Sequence, residues 1–177
     1  MCIRDRLICK ERYVTAYEYQ RNPGQIDAWT DTDYAGCRET RKSTSGGLVL
    51  HGKHLLKSLS STQKVIALSS GEAEYYGIVR GDAEAIGIQS IMRDMEVETG
   101  IQVSEDSVAA KGIADRTGLG RVRHIEVNQL WVQEKVRDKV IKLRLVEGTK
   151  NLADALTKNV SSEQIEFHMK NLCLLYT

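Results

Sequence analysis

Proline is almost missing from this chain. The one residue, Pro23 in 177, sits in Asn22-Pro23-Gly24, a turn signal ahead of the first expected strand, and no proline-rich linker is possible. Cysteine is scarce and scattered. Cys2, Cys9, Cys37 and Cys173 lack paired metal-ligand spacing, which argues against a disulfide framework and for a reducing compartment. No apolar run is long enough to cross a membrane, and no secretory signal is read at the start. Charge of either sign is not in excess. The net charge is +1, so any polyanion site must be local and not the product of a global basic field. Internal repeats and low-complexity segments are lacking too. What remains is ordinary for a soluble globular protein: 41% hydrophobic and 28% charged residues, enough for one domain with a core, or one domain plus a short extension.

Local patterns predict the elements. Residues 26–30 mix apolar and polar side chains at short range, as in a strand. Residues 47–51 and 54–59 read as two more strands, with Gly52-Lys53 as a hairpin turn. Ser69 and Glu72 have capping-box spacing, marking a helix start. Ile78, Gly81, Ala85, Ile88, Met92 and Met95 then recur at spacings of three and four, one face of a helix reaching about residue 97. Further along, 100–105 reads as a strand and 107–115 as a short helix. A third helix is expected over 124–136 with Val127, Leu130 and Trp131 on one side. A strand follows at 140–146, then a turn at 148–151 and a last helical region. Strands flanked by helices in this order predict an α/β sheet with an antiparallel portion.

Four acids fall at element ends, where an α/β sheet gathers functional side chains. Asp31 closes the first strand, Glu74 lies in the first turns of the long helix, Asp106 sits between strand and helix, and Asp154 follows Asn151. Phosphodiester hydrolysis needs an activated water and a stabilised leaving oxygen. Two divalent ions about 3.5–4 Å apart supply both, and Mg²⁺ takes hard oxygen ligands. Plainer readings compete. Asp106 can cap a helix, and Asp154 can favour a helix dipole. Glu74 precedes Ile78 by four and Gly81 by seven, so it extends the apolar stripe, whereas Glu72 points to the opposite side. A carboxylate on that line needs a compensating cation, either a metal or the partner of a buried ion pair.

At this point the residues carry a family resemblance. Thr30-Asp31-Thr32-Asp33-Tyr34-Ala35-Gly36 resembles the aspartate motif that opens the ribonuclease H domain of copia-type retrotransposon polyproteins. Residues 41–47 (RKSTSGG), 67–75 (ALSSGEAEY), 105–107 (EDS), 123–127 (RHIEV) and 151–158 (NLADALTK) are similar to the family's later blocks. The match runs from about Ile26 to Lys158, and the specificity lies in the order of the blocks.

The resemblance implies a ribonuclease H-like fold: an α/β, five-stranded mixed sheet, its first three strands antiparallel, with helices on both faces. It implies that Asp31, Glu74, Asp106 and Asp154 are catalytic and bind two Mg²⁺ ions, with Mn²⁺ as an alternative. Asp33 is the weaker candidate for the first position. The expected activity is cleavage of the RNA strand of RNA–DNA hybrids, with the reverse transcriptase domain of the same polyprotein as partner, in a cytoplasmic virus-like particle. Arg41, Lys42, Ser43, Thr44, Ser69 and Ser70 are candidate substrate contacts, as are Arg121, Arg123 and His124; for Arg41-Lys42 a solvated loop is the alternative. Two features depart from the family pattern. Glu105 stands where a threonine or cysteine usually precedes the aspartate, and the loop 147–151 lacks the histidine of the cellular enzymes. Glu105 motivates a rival reading, a catalytically decayed copy that keeps the fold as a structural module; a second rival is an integrase-like DNA-cutting enzyme of the same superfold. Residues 1–6 and 173–177 resemble translated sequencing-adapter tails of assembled environmental sequences. The expected organisation is therefore a partial linker from an upstream polymerase region over 1–25 with an artefactual start, a ribonuclease H-like domain over 26–172, and an artefactual tail over 173–177.

Overall fold

The computed structural model describes residues 13–120, 124–172 and 174–176. Its elements are β1 (Tyr13–Thr15), β2 (Gln25–Asp33), β3 (Thr44–His51), β4 (His54–Thr62), α1 (Ser70–Asp94), β5 (Gly100–Glu105), α2 (Val108–Asp115), α3 (Trp131–Arg137), β6 (Ile141–Leu145), α4 (Ser162–Asn171) and β7 (Leu174–Tyr176). Five strands form one sheet in the order β4-β3-β2-β5-β6. β2, β3 and β4 are antiparallel, while β5 and β6 run parallel to β2, which is the mixed sheet that the resemblance implies. β1 and β7 pair separately as a two-stranded ribbon, joining a segment assigned to the linker with one assigned to the tail.

Strand alternation divides the core into two faces. On one, Ile26 and Ala28 of β2, Val49 of β3, Ile101 and Val103 of β5 and Ile141 of β6 pack with Ala85 of α1. Tyr75 and Ile78 of α1 extend this layer onto Ala110, Ile113 and Ala114 of α2 and Val132 of α3. On the other face, Leu48, Leu50 and Trp29 meet Leu152, Leu156 and Leu172, so the C-terminal segment covers it. Helix α1 lies unusually close to β2 because its stripe contains glycines. A Cβ at Gly81 would stand 2.4 Å from Thr30 Cγ2, and one at Gly77 would stand 2.7 Å from Thr32 Oγ1.

Differences from the sequence reading have local causes. β3 and β4 extend beyond 47–51 and 54–59, because pairing with a neighbour carries the serine-rich stretch Ser58-Leu59-Ser60-Ser61 along. The helix expected over 124–136 is instead a 3₁₀ turn at Val127–Gln129 followed by α3. The Gln129 carbonyl accepts a 2.7 Å hydrogen bond from the Tyr75 hydroxyl, which holds the turn against α1, and Val127 is exposed. Met95 is also exposed. It follows the end of α1, and Glu96 takes a left-handed backbone (φ 61°) that stops the helix.

The Gly81 contact makes a prediction. Gly81→Val should lower unfolding stability by about 1–3 kcal/mol, the usual cost of overpacking. Urea unfolding measures it, and an unchanged midpoint would mean that α1 can move off the sheet freely.

Candidate active site

Each acid reaches the site from a different element. Asp31 lies on β2, fully buried, in register with Gly46 of β3. Asp106 directly follows β5, and Ser107 caps α2 by accepting from the Ala110 amide at 3.1 Å. Because β2 and β5 are adjacent and parallel, their carboxyl ends deliver Asp31 and Asp106 side by side. Glu74 comes from the first turns of α1, which crosses over both strands. One oxygen from each of Asp31, Glu74 and Asp106 can be chosen so that all three lie within 4.8 Å of one another.

Asp154 arrives from the opposite face, on a 3₁₀ turn (Asp154–Leu156) of the C-terminal segment. That segment is fixed by two devices. The buried Asn151 side chain donates to the Thr30 carbonyl at 2.8 Å and accepts from the Ala153 amide at 3.1 Å, tying the segment to β2 beside Asp31. Gly46 removes the side chain that would otherwise meet Leu156 Cβ and Thr157 Cγ2, at 2.9 and 2.7 Å from the missing Cβ. So placed, Lys158 Nζ donates to Asp31 Oδ1 at 2.8 Å and to Asp154 Oδ1 at 3.1 Å. The Thr157 hydroxyl donates to Asp31 Oδ2. Asp154 thus joins the other acids through Asp31 and a shared ammonium.

The electrostatics are those of crowded anions. Burial, then the charges of Asp31 and Asp106, push the Glu74 carboxyl up to about 9, with Lys158 only partly offsetting them. Burial and Asp31 likewise raise Asp106 and Asp154. Burial works against the Lys158 ammonium, but its hydrogen bonds and attraction to Asp31 and Asp154 outweigh that and hold its pKa above the usual lysine range. Hard oxygen donors with unneutralised repulsion are a donor set that fits a divalent cation.

The other sequence candidates divide. Arg41 and the serines Ser69 and Ser70 are exposed; Lys42 and Thr44 are half-buried. Ser69 also caps α1, accepting from the Glu72 amide at 3.2 Å. Ser43 is fully buried, and its Oγ accepts from the Ala35 amide at 3.0 Å, so it braces the β2–β3 connection from inside. His124 is exposed and its Nε2 stands 2.7 Å from Glu72 Oε2. Arg121 and Arg123 lie outside the described residues. Glu72 diverges from Glu74 as the helix phase requires, yet it is buried, not solvated: it accepts from the Leu68 amide at 2.9 Å and the Tyr76 hydroxyl at 3.1 Å. Sequence reasoning assigned no role to Asn151, Thr157 or Lys158. The available signal was the Asp154-to-Lys158 spacing of four, which pairs side chains on a helical turn.

Glu105 is turned inward. It is 1% exposed, and neither carboxylate oxygen has a hydrogen-bond partner among the described residues. Burial, then Asp106, raise its pKa to about 8. Its unfolded value is near 4.5, so between these values the folded state binds more protons and stability falls as pH rises. Glu105→Gln should remove that loss. Its unfolding midpoint, compared with the native chain, should gain steadily from pH 5 to pH 8; a constant difference would show that Glu105 is neutralised some other way.

The likenesses to known proteins bear on ancestry and fold. No family model matches the chain. It is 30% identical over 143 residues to the retrovirus-related Pol polyprotein from transposon TNT 1-94 of Nicotiana tabacum, covering 80% of this chain and 11% of that protein. It is 31% identical over 147 residues to the corresponding polyprotein from transposon RE2 of Arabidopsis thaliana, covering 79% and 10%. The chain therefore spans about a tenth of the length of these curated relatives. Among solved structures, LC11-RNase H1, isolated from compost, superposes with a TM-score of 0.52 at 17% identity, covering 82% of this chain and 99% of that one. The N-terminal RNase H domain of a Mycobacterium tuberculosis protein gives 0.53 at 18% identity, covering 82% and 96%. Over 80% of its length the chain is a homologue of the retrovirus-related Pol polyproteins of plant transposons, folded as a ribonuclease H-like domain.

Proposed function

We propose that this chain is the ribonuclease H of a copia-type retrotransposon Pol polyprotein, hydrolysing the RNA strand of RNA–DNA hybrids with two divalent ions. The observation that carries the reading is the convergence of Asp31, Glu74 and Asp106 to within 4.8 Å at the carboxyl ends of two parallel strands. Asp31, Glu74, Asp106 and Asp154 would hold the ions, Mg²⁺ or Mn²⁺. Bound there, such ions supply an activated water and stabilise the leaving 3′ oxygen, giving 5′-phosphate and 3′-hydroxyl ends.

The protein's own part is placement. Asp31, buried and central, anchors the group, and the Asn151 and Gly46 contacts keep Asp154 against it. Burial keeps bulk water from screening the carboxylates. An A-form-like hybrid offers phosphates and 2′-hydroxyls, not readable base edges, so donors suffice to grip it. Arg41, Lys42, Thr44, Ser69, Ser70 and His124 would serve as such donors, with Arg121 and Arg123, outside the described residues, as further candidates; the inward Ser43 would act by bracing the loop. The reverse transcriptase domain of the same polyprotein is the proposed partner, and a cytoplasmic virus-like particle the proposed setting. Among the described residues, no helix is long and apolar enough to cross a membrane.

The test is cleavage of a labelled hybrid, with a DNA duplex as control. Mg²⁺ should support cutting of the RNA strand, EDTA should stop it, and the duplex should survive. Asp31→Asn should cost more than loss of an outer-shell metal partner, about 10–100-fold, without unfolding the chain. Full activity in that variant ends the proposal, as does inactivity of the native chain, alone or joined to its polymerase domain; the latter would favour the decayed copy. Hybrid affinity should also fall linearly on a log–log plot as salt rises. A flat salt response would remove the phosphate contacts from the account.

A further inference from the structure

Both oxygens of Asp31 are already engaged by two successive residues of the C-terminal segment. Lys158 Nζ takes Oδ1 at 2.8 Å, and the Thr157 hydroxyl takes Oδ2. The same ammonium reaches Asp154 Oδ1 at 3.1 Å. Among the described residues, no other lysine or arginine forms an ion pair with Asp31, Glu74, Asp106 or Asp154. The two ends of the bond differ in freedom. Asp31 is fully buried and held in the sheet, whereas the Lys158 side chain is 42% exposed on a flexible stem. Of the two, only Lys158 can leave.

We propose that Lys158 is a tethered counter-ion, which stands in for a divalent cation in the free site and swings out when one binds. The inference rests on the two-ion reading above. Its logic is charge balance. Asp31 and Asp154 cannot be held together at full charge without a cation, and the ammonium is the one within reach. An arriving metal ion would compete for the same oxygens and repel the ammonium. The free protein therefore gains order at the expense of apparent metal affinity, because the fraction of molecules ready to bind is reduced.

Mn²⁺ binding to the whole chain without nucleic acid tests this, followed by calorimetric titration. Lys158→Met and Lys158→Gln should each bind Mn²⁺ about ten-fold more tightly than the native chain, as removal of a competing state requires. Without metal both should melt at a lower temperature, and Mn²⁺ should raise their melting temperature more than it raises that of the native chain. Lys158→Arg, which keeps the charge, should bind Mn²⁺ no more tightly than the native chain. If the native chain binds Mn²⁺ and the neutral variants bind it equally or more weakly, the counter-ion role is wrong and the metal reading stands. If the native chain and every variant fail to bind Mn²⁺, the metal reading fails and the counter-ion role fails with it. Should Lys158→Met not fold, the comparison between Gln and Arg decides.

Discussion

Like-charged oxygens within 4.8 Å of one another, on one buried and two half-buried acids, are the condition to which the surrounding structure is fitted. Left to themselves, the three carboxylates would repel one another, and burial, then the charges of Asp31 and Asp106, push the Glu74 carboxyl up to about 9. What holds them is backbone. Asp31 and Asp106 are carried by neighbouring parallel strands, and Glu74 by a helix brought close to β2 by Gly77 and Gly81. The cost of gathering the charges is spread over the sheet and α1, not met by any one bond.

The fourth acid obeys a different rule. Asp154 is not on the sheet, so its position depends on how residues 151–158 dock. Asn151 is the main tether, because its amide satisfies a buried β2 carbonyl that would otherwise lack a side-chain donor from this segment. Gly46 provides the clearance and Lys158 the charge. The donors of this segment and the carboxylates of the sheet are therefore one electrostatic unit, although they are far apart in the chain.

That separation explains what could be read in advance. The individual strands, the long helix and the strand-to-helix position of Asp106 follow from local periodicity and capping, which the sequence displays directly, whereas the five-stranded mixed sheet was expected only from the block resemblance. The choice of Glu74 over Glu72 was also legible from helix phase. The fate of Glu72 was not, since its partners Tyr76 and His124 include one 52 residues away. Likewise the break in the helix expected over 124–136 depends on the Tyr75 hydroxyl, a tertiary contact. Lys158 reads locally as a helix-spaced partner of Asp154; its bond to Asp31, 127 residues distant, exists only after folding. Block resemblance proposed the acids but carried no information on how they are neutralised.

The central claim is that these four carboxylates are a divalent-cation site within a ribonuclease H-like fold. The most direct measurement is anomalous diffraction from crystals of the chain soaked in Mn²⁺. The account predicts two peaks among Asp31, Glu74, Asp106 and Asp154, with the Lys158 side chain displaced from Asp31. Mn²⁺ peaks confined to other parts of the surface, with the carboxylates still closed around Lys158, would contradict it.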